Sequence, residues 1–181
     1  MAEDTTAPLL APADDLATKV GTTATDARLL VALRAASARF RGAVRWQVHR
    51  VTDERLVVNG TGTRDLALPI RDIVDISAVE VDGVAVPVEW DEYGLLNRAD
   101  GRLWPRRRRA VVITATYGFD PIPDDIAEAV QDQAEVGYNI LRGLSSKQVG
   151  GITLTYGQSE AVGVSQAWSD AVDRYRIGGR T

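Results

Sequence analysis

Ala110-Val-Val-Ile-Thr-Ala-Thr-Tyr-Gly-Phe-Asp-Pro-Ile-Pro-Asp-Asp-Ile126 passes from one kind of backbone to another within a few residues. Val111, Val112, Ile113 and Thr114 favour a strand, because branched side chains pack well on a pleated surface. The run therefore predicts a strand over residues 110–117. Gly118, Asp120 and the two prolines interrupt it. Pro123 suits the first turn of a helix, and Asp124 and Asp125 complement the positive helix end. From there Ile126, Val130, Ala134, Gly137, Ile140, Leu141 and Leu144 keep to one side, which predicts a helix over residues 123–144.

Upstream of this junction, turn signals punctuate short β-type runs. Val44 to Val51, Arg55 to Val58, Asp65 to Leu68, Ile76 to Val81 and Gly94 to Arg98 read as strands. Asn59-Gly60, Asp82-Gly83 and Asp100-Gly101 are tight-turn pairs, and Val79 to Val88 around Asp82-Gly83 is the clearest hairpin. Residues 43–118 thus read as an inserted β-region with a mostly antiparallel sheet. Before it, a short helix is predicted over 13–20, closed by Gly21. A longer one follows over 26–41, capped by Thr25, with Leu29, Leu30, Leu33, Ala36 and Phe40 on one face. Downstream, Gly150-Gly151 precede an alternating strand from Ile152 to Tyr156, and a last helix is predicted over 164–175.

The order predicts an α+β fold, a small helical bundle carrying an inserted β-region. At 181 residues the chain fits a single domain over 12–176, with flexible ends at 1–11 and 177–181. The two longer helices are expected to pack through Leu29, Leu33, Phe40, Ile126, Val130 and Leu141. Residues 145–163, rich in serine and glycine, are expected to be mobile in the free chain and to order against a neighbour.

Composition narrows the chemistry. There is no cysteine and one histidine, His49, so disulfides and thiolate or multi-histidine metal sites are ruled out. A net charge of −4 argues against general nucleic-acid binding, which needs excess basic charge. No apolar run reaches the length of a membrane span, and the acidic N-terminal residues do not resemble a signal peptide. Gly60-Thr-Gly62 and Gly150-Gly151 lack the pattern of a phosphate loop. Asp120, Asp124 and Asp125 invite an acid–base or cation reading, but a turn and a helix start account for them. No catalytic, cofactor-binding or metal-binding residue is therefore expected.

The one concentration of charge is Arg106, Arg107, Arg108 and Arg109, near Arg98, Arg102 and Trp104. Such a run can hold phosphates, but it can equally be solvated or grip an acidic neighbour, and on a strand alternate arginines would face opposite sides. Subunit or portal contact is the reading taken for these four, together with Ile152, Leu154 and Tyr156, whose alternation suits addition to another sheet.

Several pieces, in this order, resemble the head-to-tail adaptor (head-tail connector) family of long-tailed bacteriophages. They are the helix pair from Pro12-Ala-Asp-Asp-Leu through Ala35-Ala-Ser-Ala, Leu66-Ala-Leu-Pro69, Val79-Glu-Val-Asp-Gly-Val84 and Trp90-Asp-Glu-Tyr-Gly-Leu-Leu96. After these come Val111 to Ile126, Gly150-Gly-Ile-Thr-Leu-Thr-Tyr-Gly157 and Asp173-Arg-Tyr-Arg176. The resemblance implies a structural virion protein without catalytic residues or cofactors. It also implies a dodecameric ring of the chain at the virion neck, made and assembled in the host cytoplasm. Its partners would be the portal protein above and a stopper or tail-completion protein below, with DNA passing through the lumen without sequence-specific binding. Two other readings stay open: a nucleic-acid-binding module using Arg106–Arg109, and a small hydrolase relying on His49.

Overall fold

A computed structural model describes residues 7–141, 146–149, 152–155 and 164–178. The fold is α+β, and every pairing between its strands is antiparallel. The described residues form two compact units, those up to 45 together with those from 122 onward, and residues 46–121. The physical reason is that the β-region buries its own apolar residues, among them Leu66, Leu96, Trp104, Val111 and Ile113.

The helical unit contains α1 (Ala13–Val20), α2 (Ala27–Val44), α3 (Asp124–Leu141) and α4 (Gln166–Tyr175). α2 packs on α3 through the faces their periodicity marks, with Leu29, Leu33, Phe40, Ile126 and Val130 all fully buried. The Leu141 side chain, also expected in this core, lies outside the described residues. α4 contacts both helices, and the Phe40 and Trp168 rings meet edge to face at 5.3 Å.

Several boundaries differ from expectation, three of them with a clear physical cause. Asp26, not Thr25, caps α2, because its carboxylate accepts from the Arg28 and Leu29 amides at 2.7 and 3.3 Å. α2 runs through Gly42 to Val44, whose complete burial offsets a helical glycine's cost of about 1 kcal/mol. The strand expected from Val44 therefore starts only at Val51. The tail predicted over 1–11 is tied down before its end. Leu10 and Ala11 are buried, the Leu10 amide donates to Ser37 Oγ at 3.1 Å, and Arg41 donates to the Pro8 carbonyl.

The β-unit holds two sheets. In the larger, β1 (Val51–Val58), β7 (Val111–Tyr117), β3 (Ile73–Val81) and β4 (Val84–Ala85) lie side by side in that order. β7 is central, and its alternation buries Val111, Ile113, Ala115 and Tyr117 on one face. The Asp82-Gly83 hairpin pairs Val81 with Val84. The smaller sheet orders β2 (Asp65–Ala67), β6 (Leu95–Arg98) and β5 (Val88–Trp90), with Leu66 opposite Leu96. Trp104 is buried and its indole donates to the Leu96 carbonyl at 3.3 Å.

A separate two-stranded pairing joins β8 (Ser146–Val149) to β9 (Ile152–Thr155).

Candidate functional site

The arginine run occupies a corner where the chain enters β7. The expected strand alternation does not apply, since Arg106 to Arg109 form a turn and all four side chains are exposed together. Buried Trp104 and Ala110 bracket the turn. Between them the backbone is held across the corner. The Gly60 amide donates to the Arg107 carbonyl at 2.9 Å, and the Arg109 amide donates to Asn59 Oδ1 at 2.9 Å. The Trp104 amide donates to the Thr63 carbonyl at 2.9 Å. Asn59-Gly60, read in the sequence only as a turn signal, is thus the clasp of the arginine corner. The glycine is required there: a Cβ on Gly60 would sit 1.9 Å from the Pro105 carbonyl oxygen.

Within the corner, Arg107 pairs with Asp82 of the β3–β4 hairpin. Arg106, Arg108 and Arg109 have no carboxylate partner among the described residues. Arg98 is withdrawn from the group. It donates to Asp100 Oδ1 at 2.9 Å, and this hydrogen bond raises the Arg98 pKa and lowers that of Asp100. A rigid turn with three uncompensated guanidinium groups can hold carboxylates or phosphates without first being ordered.

Of the other candidate contacts, Ile152 and Leu154 lie in the β8–β9 pairing. Val149 opposes Ile152 and Lys147 opposes Leu154, so one edge of β9 is already occupied by β8 within the chain. Tyr156, most of the stretch expected to order on docking, and Gly150-Gly151 lie outside the described residues. His49 forms an isolated bridge opposite Phe119. Among the described residues no three His, Asp or Glu side chains converge as metal ligands, and no helix is long and apolar enough to cross a membrane.

Asp125 does more than start a helix. It accepts from Arg174 at 2.8 Å and from the Tyr175 hydroxyl at 3.1 and 3.2 Å, fastening α4 to α3. Burial, then this carboxylate, raises the Tyr175 pKa. Sequence reading also missed a carboxylate on Tyr117. Its hydroxyl donates to Glu54, and burial first, then Glu54, raises its pKa. An apolar groove of about 240 Å³ between α2 and α3, lined by Val31, Ala35, Gly137 and Ile140, went unread as well. Ile140 belongs to the apolar face read for α3 yet remains half exposed, as does Val31, which lies off the face read for α2.

The sequence matches no family model, and no curated protein matches it. Among solved structures, the chain is similar in fold to a protein from the neck of an empty GTA (gene transfer agent) particle, computed with C6 symmetry. Identity is 20%, the TM-score 0.61, and the match covers 100% of this chain and 97% of that one. It is also similar to a protein from the neck of a native GTA particle computed with C12 symmetry, at 21% identity and a TM-score of 0.56, with the same coverage. The chain therefore shares, from end to end, a fold found in the necks of such particles.

Proposed function

We propose that the chain is a structural subunit of the neck of a tailed, phage-like particle. In this reading it is a head-to-tail adaptor that forms a ring beneath the portal, joins capsid to tail and leaves a lumen through which DNA passes. The observation that carries it is the full-length likeness in fold to neck proteins. A partial likeness would fit a shared building block; coverage of both chains almost throughout fits a shared place in an assembly. The twelve-fold symmetry of one of those necks supports a ring of twelve copies. Self-association, the portal and a stopper or tail-completion protein supply the partners. The exposed Arg106–Arg109 corner, Ile152 and Leu154 of β9, and Tyr156 supply contacts.

No catalytic role is assigned. A single histidine and no cysteine leave few side chains for nucleophilic or acid–base chemistry. A nucleic-acid-binding module remains the second reading, favoured by the uncompensated arginines and opposed by the acidic net charge. Particles assembled without the chain test the proposal. Filled heads and separate tails that fail to join are expected, whereas joined, infective particles would contradict it.

A further inference from the structure

The larger sheet of the β-unit sorts its exposed charge by end. At one end of β7, Val111 pairs with Val58 and Val81 beside the arginine corner; at the other, Tyr117 pairs with Val51 and Ile73. Seven residues at about 3.3 Å each set the two ends roughly 20 Å apart.

The far end is acidic. Asp75 opposes Thr116 in register, and the Asp53 amide donates to Thr116 Oγ1 at 3.1 Å from the other side, so two exposed carboxylates flank one residue. Exposed Glu92 joins them, its carbonyl accepting from the Ile73 amide at 3.3 Å. Asp72 adjoins this group. Burial raises its pKa, Glu92 adds to the rise and Arg71 opposes it. The cations nearby are Arg71, Arg50, which is engaged with the Gly118 carbonyl at 2.7 Å, and exposed Arg55 opposite Thr114, against the carboxylates of Asp53, Asp72, Asp75 and Glu92. Carboxylates are in excess.

Exposed charges this far apart lie beyond the Debye length, about 8 Å at physiological ionic strength. The two ends of one chain cannot neutralise each other, but the unlike ends of two chains can. We infer that the arginine corner of one copy docks on the Asp53, Asp75 and Glu92 end of the β-unit of the next. This names the surface for the ring of the proposed function, and rests on that reading. Unlike surfaces on one subunit make a head-to-tail contact, which closes into a ring when the rotation between copies allows. The clasp on Asn59 and Gly60 fixes the corner beforehand, so docking orders only side chains. A second copy fits better than DNA, because Asp82 stands within the corner and the β-unit has more carboxylates than arginines. A polyanion would meet both.

Sedimentation velocity of the full chain over a range of concentration and salt tests this. Self-association that weakens as salt rises is expected. It should fall at least tenfold in a chain carrying Arg106→Glu with Arg108→Glu, and equally in one carrying Asp75→Arg with Glu92→Arg. Arg106→Gln with Arg108→Gln should give a smaller loss. A chain with all four reversals should regain association, since its reversed corner meets a reversed end; that recovery also shows that the variants fold. Gly60→Ala, which changes no charge, should weaken association by displacing the clasped turn. Reversal variants that associate like the wild type, no recovery in the fourfold variant, or a wild type monomeric throughout would each overturn the inference. So would salt-dependent duplex DNA binding that the Arg106 and Arg108 reversals abolish while self-association is unchanged. None of these results bears on whether the chain sits in a particle neck, which is read from particles lacking it.

Discussion

Asp72 is held at a cost. Its backbone lies at a φ of 54°, its carbonyl accepts from the Gly118 amide at 2.9 Å, and burial raises its carboxyl above the ordinary range. An acid whose pKa is higher in the folded chain favours folding below its unfolded value and disfavours it as pH rises through the folded one. At neutral pH, Asp72→Asn should therefore raise the melting midpoint, and asparagine tolerates the positive φ. Melting curves down through the carboxylate range check the sign: the gain should vanish on acidification, and a gain independent of pH would point to another cause. Leu33 makes a plainer case. It is fully buried between α2 and its neighbours, so Leu33→Ala should cost about 2–5 kcal/mol in chemical unfolding.

At the scale of elements, whatever depends on local pattern was readable. The spacing of Leu29, Leu33 and Phe40 marks the buried face of α2, and the run from Val111 to Thr114 marks the central strand. The Asp82-Gly83 pair marks a hairpin for the same reason, since its chemistry lies within four residues. Features that join distant residues left no such trace. Nothing near Asn59-Gly60 says that it clasps a turn some fifty residues later, and nothing near Asp125 says that Arg174 and Tyr175 return to it. The arginines were visible as a run, but their common exposure follows from a turn that their spacing does not encode. The Asp125 fastening gives a test at this scale. Asp125→Ala should speed hydrogen exchange in α4 while leaving α2 protected, and unchanged exchange in α4 would mean that Phe40 against Trp168 alone retains it.

For the whole molecule, the sequence supplied a resemblance made of short pieces in a fixed order, and the fold likeness at 20% and 21% identity spans the same course. On the proposed function, a ring subunit is constrained less by particular side chains than by its core and by surfaces that recur around an axis. The second compact unit, residues 46–121, lies close to the β-region read in the sequence over 43–118, because the turn pairs and branched runs that mark it are local. Self-association and particle joining each bear on one part of the account, but location bears on its centre. The most direct measurement is electron cryomicroscopy of intact particles containing the chain, reconstructed at the head–tail junction with its rotational symmetry. A closed ring of copies of this fold between capsid and tail is the predicted result, and particles whose neck contains no copy of the chain would contradict the account.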